Sequence, residues 1–135
     1  MEFCYERKIN YYETDKMGIV HHSNYIRFLE ETRVEWMESA DMPFDRLEER
    51  GITIPVLGVN IEYKKYVTFG DTILIKPYVK EYSGVKLIVG YDVTNKETGK
   101  TVIIAETKHC FTDKSLKPVN LKKAAPDYSE KFANL

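Results

Sequence analysis

Between Tyr25 and Ala40 the apolar residues recur at helical spacing. Tyr25, Phe28, Leu29, Trp36 and Ala40 fall on one side, with Thr32 between them, and Ile26 and Met37 widen the stripe. Arg27, Glu31, Glu35 and Glu38 take the other side. A stripe this wide predicts a helix that is enclosed rather than laid on a flat surface. Ser23 or Asn24 is the natural N-cap. Arg33 projects within the apolar arc, so it needs a partner or a path to water and reads as structural.

What encloses such a helix must come from the rest of the chain, which is β-rich. "FCYERKINYYET" precedes the helix as an expected strand. "DMPFDRLEERGI" follows it as a short second helix, with Pro43 and Asp45 at its start and Gly51 at its end. Then come "IPVLGVNIEYKKYV", "TILIKPYVKEY", "VKLIVGYDVTN" and "TVIIAETKHCFTD", separated by "FGD", "SG" and "KETGK". Turns this short join antiparallel neighbours. Pro77 inside a strand predicts an edge or a bulge. The expected class is α+β, with an antiparallel sheet of five strands curled around one long helix. Residues 1–135 read as a single domain with a polar segment from about 120, either a loosely attached tail or a last short helix.

Composition narrows the partners. Twenty basic and 21 acidic residues give a net charge of −1, which argues against a non-specific nucleic-acid binder. No apolar run approaches the roughly 18–20 residues of a membrane span. The polar N-terminus is not a signal peptide, so a cytoplasmic location is expected. Cys4 and Cys110 show neither disulfide nor metal spacing and read as reduced core or near-core thiols.

The chemistry-bearing stretch is "YYETDKMGIVHHSNYIRFLEETR". It puts Asp15, Gly18, His21 and His22 just ahead of the helix. The first N–H groups of a helix lack intrahelical partners and carry partial positive charge, so a carbonyl oxygen that gains charge in a transition state fits there. Gly18 lets backbone pass close to a ligand. Asp15 could attack a carbonyl or deprotonate water. The bland alternatives are a capping or surface carboxylate and a polar surface pair of histidines. A metal site is weaker still, because adjacent histidines on a turn diverge.

The same stretch resembles the hot-dog-fold acyl-CoA thioesterases of the 4-hydroxybenzoyl-CoA thioesterase family, bacterial acyl-CoA thioesterase branch. "ETDKMGIVHHSNYIRFLEETRVEWM" carries the likeness, with weaker matches in "VNIEYKKYVTFGDTILI" and "TDKSLKPVNL", over roughly residues 5–120. The resemblance implies the hot-dog fold, hydrolysis of an acyl-CoA to free acid and coenzyme A, and a homodimer or homotetramer with sites between subunits. It implies Asp15 as nucleophile or general base and His22 as the second catalytic residue, its backbone N–H facing the thioester oxygen. Gly18, Ile19, Val20, His21, Asn24 and Tyr25 become substrate-binding residues. Lys64 and Lys65, solvated surface by default, become candidates for the coenzyme A phosphates, reaching in from a neighbouring subunit. Tyr66 stands where relatives often have Pro, at the edge of the acyl pocket. No metal or redox cofactor is implied. The alternatives are a hot-dog dehydratase or acyl-carrier-protein thioesterase and, in another class, a non-catalytic acyl-CoA-binding or assembly module.

Overall fold

A computed structural model describes residues 2–135. The order is β1 (Tyr5–Lys8), α1 (Ser23–Ser39), α2 (Phe44–Glu49), β2 (Val56–Tyr63), β3 (Thr72–Tyr82), β4 (Lys86–Asn95), β5 (Thr101–Cys110), α3 (Leu121–Ala124) and α4 (Pro126–Ala133). The expected strand before the long helix is shorter than its sequence suggests. It stops at Lys8, and a 3-10 turn at Tyr11–Glu13 leads on towards α1.

The five strands form one sheet in the order β1-β3-β4-β5-β2, with every pairing antiparallel. β3, β4 and β5 are the meander that the short turns predict. β1 and β2, which flank the helices in sequence, end up as the two edges. α1 lies against one face of the curled sheet and buries Tyr25, Phe28, Leu29, Thr32, Trp36 and Met37. They meet inward-facing sheet residues such as Ile73, Ile75, Val89, Val93 and Ile103 in one core. Ile26, expected to widen the stripe, is instead 50% exposed, because the enclosed arc is narrower than the apolar arc. Pro77 sits where β1 has ended and β3 has become a free edge, so its missing N–H breaks no pairing there. On the outer face the Tyr78 ring lies over Gly90, where a Cβ would displace it.

Of the two alternatives for the segment after 120, the structure has the helical one and not the loose tail: α3 and α4 pack down, Leu121, Ala125, Tyr128 and Phe132 are buried, Phe132 stacks on Tyr82, and the Tyr128 hydroxyl donates to the Pro43 carbonyl at 2.8 Å. Cys4 is exposed rather than in or near the core, while Cys110 is partly buried. Among the described residues no helix is long and apolar enough to cross a membrane.

Candidate active site

The approach to α1 is built from the backbone outward. Thr14 and Val20 bridge as an antiparallel pair, and Asp15 and Ile19 close the loop between them through the Asp15 N–H, 2.8 Å from the Ile19 carbonyl. Gly18, at φ +82°, makes the reversal possible, with its N–H on the Asp15 carbonyl at 2.9 Å. The Asp15 carboxylate is held from within this turn, because its Oδ1 accepts the Met17 N–H at 2.8 Å. No other donor among the described residues reaches that carboxylate, so its second oxygen has no protein partner.

A buried ion pair anchors the incoming chain. The Arg7 guanidinium forks onto both Glu13 oxygens and also reaches Glu31 on α1 at 2.9 Å. Burial opposes the charge on Arg7, but Glu31 and Glu13 outweigh it and hold the group above its ordinary value. Glu13 in turn passes its carbonyl to the His21 N–H at 2.9 Å and to the Asn24 side-chain amide at 2.8 Å. The loop before α1 is therefore locked to the helix it feeds.

The start of α1 departs from the expected cap. Neither Ser23 nor Asn24 caps it, since Asn24 spends its side chain on Glu13. The His21 imidazole does that work: its Nδ1 accepts the Ser23 N–H at 3.2 Å and lies 2.8 Å from the Ser23 hydroxyl. The Asn24 and Tyr25 N–H groups bond back to the carbonyls of His21 and His22. Among the described residues the His22 N–H alone at this terminus meets no acceptor. The two imidazoles stack with ring centroids 4.2 Å apart.

A groove of about 490 Å³ opens beside this terminus. Asp15, Ile19, Val20, His22, Tyr25, Lys64 and Lys65 all line it. Three of the expected residues do not line it: Gly18 shapes the turn, His21 caps the helix, and Asn24 ties it to Glu13. Lys64 and Lys65 belong to the same chain's groove as Asp15, not to a neighbouring subunit's alone. Met17, Tyr63 and Tyr66 also line it. The sequence signal for Tyr63 was its place at the end of a strand beside two lysines. Met17 gave none. Tyr25 forms the floor, 3% exposed and edge-on to Tyr63 at 5.7 Å. Burial first, and Tyr63 second, push its phenol up to about 12, so it stays a donor at neutral pH.

A carboxylate with one open oxygen and an unpaired amide on the wall of one groove is an arrangement for attack on a carbonyl. A sheet of this order wrapped on its long helix is the hot-dog fold, and the groove sits where the thioester hydrolases of that fold were expected to carry theirs. The chain belongs to the thioesterase-like superfamily, matching it over residues 9–132, and is a thioester hydrolase. That places the resemblance to the 4-hydroxybenzoyl-CoA family at the broader level of the superfamily. A Bacillus subtilis (strain 168) protein named "Putative acyl-CoA thioesterase YneP" is 36% identical over 124 residues, covering 91% of this chain and 89% of that protein. The DHNA-CoA thioesterase from Staphylococcus aureus superposes with a TM-score of 0.93 at 27% identity, over 97% of this chain and 88% of that one. A hypothetical protein from Aquifex aeolicus superposes at 0.89 with 32% identity, over 96% and 98% of the two chains.

Proposed function

We propose that the substrate is an acyl-CoA and that Asp15 and the His22 N–H carry its hydrolysis. The observation behind this reading is that the open Asp15 carboxylate and the unpaired His22 amide share one groove. The thioester oxygen takes the His22 N–H, which is strengthened by the α1 dipole as negative charge builds on that oxygen. The free Asp15 oxygen either attacks the carbonyl carbon, expelling the coenzyme A thiolate and leaving a mixed anhydride that water opens, or takes a proton from the water that attacks. Both routes end in free acid and coenzyme A. The His22 ring, on a residue that lines the groove, positions water. Ile19, Val20 and Tyr25 shape the acyl end, and Lys64 and Lys65 meet the phosphates. The names of the relatives support the acyl-CoA reading.

The test is release of free thiol from a panel of acyl-CoA thioesters of differing length and ring content. Turnover on at least one is expected. A folded protein inert on all of them would favour a binding module. Label in Asp15 after a single turnover in ¹⁸O-water shows the nucleophilic route with water opening the anhydride at the Asp15 carboxyl carbon, whereas the general-base route leaves none there.

The chain also assembles with itself in this reading. β2 is a sheet edge whose outer backbone is unpaired and whose Val56, Leu57, Val59 and Tyr63 side chains are exposed. Pairing with a second copy covers that edge. It would close the groove on its Tyr63 side, with a tetramer as the next level. Light scattering is expected to give a dimer or tetramer, and a stable active monomer would remove the partner from the site.

A further inference from the structure

The wall formed by Lys64 and Lys65 has a second side. Beyond it lies an open depression of about 550 Å³, lined by the same two lysines together with Gly99, Lys100, Thr101 and Ile104. The two lysines are fixed there by backbone. Val102 is the extra residue of a bulge in β5, opposite Val93 and Thr94, and its carbonyl accepts the N–H groups of both Lys64 and Lys65, at 2.8 and 3.1 Å. The chain leaving β2 therefore runs against the first residues of β5. That brings Lys65 and Lys100, distant in sequence, to one surface.

Lys100 is presented by a well-tied turn. The Asn95 side chain accepts the Glu97 and Thr98 N–H groups, the Gly99 N–H bonds the Asn95 carbonyl at 2.8 Å, and the Lys100 carbonyl accepts the Asn95 N–H at 2.9 Å. Gly99 adopts φ +73° with open space where a Cβ would stand. The charges are available as well. Among the described residues neither Lys65 nor Lys100 has a carboxylate within salt-bridge distance, Lys64 has only Glu62 at 3.6 Å between exposed groups, and the nearby Lys96 is committed to Glu6 at 2.9 Å. Ile104, 42% exposed, adds an apolar surface next to the ammonium groups.

Three lysines, a threonine hydroxyl and an apolar surface, adjoining the reaction groove in a chain of net charge −1, match a ligand that carries several phosphates and a flat base on the end of an arm. We propose that Lys65 and Lys100 cradle the nucleotide phosphates of coenzyme A on this shelf, with Lys64 at its junction with the groove and Ile104 under the base. Lys100 thereby becomes a determinant for nucleotide-bearing thioesters over shorter ones. The proposal rests on the acyl-CoA reading.

The experiment compares one good acyl group presented on coenzyme A and on pantetheine, which lacks every phosphate, using wild type, Lys100→Gln and Lys100→Glu. The wild-type preference in kcat/KM for the coenzyme A ester is expected to fall roughly threefold to fivefold in Lys100→Gln, as for loss of one exposed ion pair. Charge reversal in Lys100→Glu should lower it further. The change should lie in KM for the coenzyme A ester, and added salt should shrink the wild-type preference. A preference unmoved in both variants overturns the shelf while leaving the acyl-CoA reading standing. Equal losses on both esters do the same. Wild type that hydrolyses the pantetheine ester but discriminates against the coenzyme A ester overturns both.

Discussion

At the start of α1, Asp15 keeps a carboxylate oxygen and His22 keeps an amide N–H clear of protein partners, on residues that line an open groove. Further along the same helix, Arg33 donates to the Tyr91 hydroxyl at 3.1 Å, Tyr91 lies 2.7 Å from the Thr107 hydroxyl, and Thr107 lies 2.7 Å from Nε2 of His109. Tyr91, Thr107 and His109 are all buried. An unpaired polar group costs little where water can serve it until a substrate arrives, and costs a full desolvation where it cannot. The open cluster can therefore leave its reactive atoms unused, whereas the closed one must satisfy nearly all of its own. Among the described residues the one exception is Nδ1 of His109, buried without a hydrogen-bond partner. Burial, and then the Arg33 charge, lower the His109 pKa to about 4, so the ring is neutral in the folded protein.

The strongest way to break the comparison is Asp15→Asn. The amide oxygen can still accept the Met17 N–H that holds the turn, so circular dichroism and melting should match wild type. An amide is neither an anionic nucleophile nor a base, and the expected loss in kcat is about 10²- to 10⁴-fold. Retention of most of the turnover would mean that the open oxygen is incidental.

The buried cluster should answer to pH through stability instead. Histidine in the unfolded chain titrates near its ordinary 6.5, and His109 in the folded chain near 4. Between those values the unfolded state binds more protons. The contribution is whole above about pH 6.5 and is lost as pH falls towards 4, at no more than about 1.4 kcal/mol per pH unit. His109→Gln keeps an amide near Thr107 and cannot titrate, so denaturant midpoints of variant and wild type should converge as pH drops from 7 to 4. A constant difference across that range would show that His109 does not charge on unfolding.

Burial periodicity made the large elements readable before the structure. The α1 stripe and the meander both follow from which side chains must leave water. Arg33 could be singled out as needing a partner, but naming Tyr91 requires the register of β3 and β4 under the helix, which no local pattern carries. The same holds for His109, whose inward direction depends on the β4–β5 register. The C-terminal segment leaves a loose tail and a last short helix both open in the sequence. Leu121, Ala125, Tyr128 and Phe132 are spaced as one helical face, but the surrounding lysines and acids mask it. At the site, the placement of Asp15 and His22 together beside the start of α1 is legible from their position ahead of a helix. The capping role of His21 was not, because Ser23 and Asn24 are the better caps by residue type and the imidazole outcompetes them only in the folded turn.

That capping role gives the smallest effect and the finest comparison, between the two neighbouring histidines. In His21→Ala the Ser23 N–H loses its acceptor, so about 1 kcal/mol of stability should go, the usual cost of a lost N-cap. Catalysis should change little, because that ring does not line the groove. In His22→Ala the backbone N–H survives, so the carbonyl keeps its donor and only the ring is lost. The expected result is a partial fall in kcat/KM, well short of Asp15→Asn, at nearly unchanged melting temperature. Measuring kcat/KM on one good acyl-CoA and melting for both variants separates the roles along two axes. If His21→Ala proved the more damaging to turnover, the cap and the catalytic donor would be one device, with the imidazole of His21 holding the His22 amide in its reactive direction.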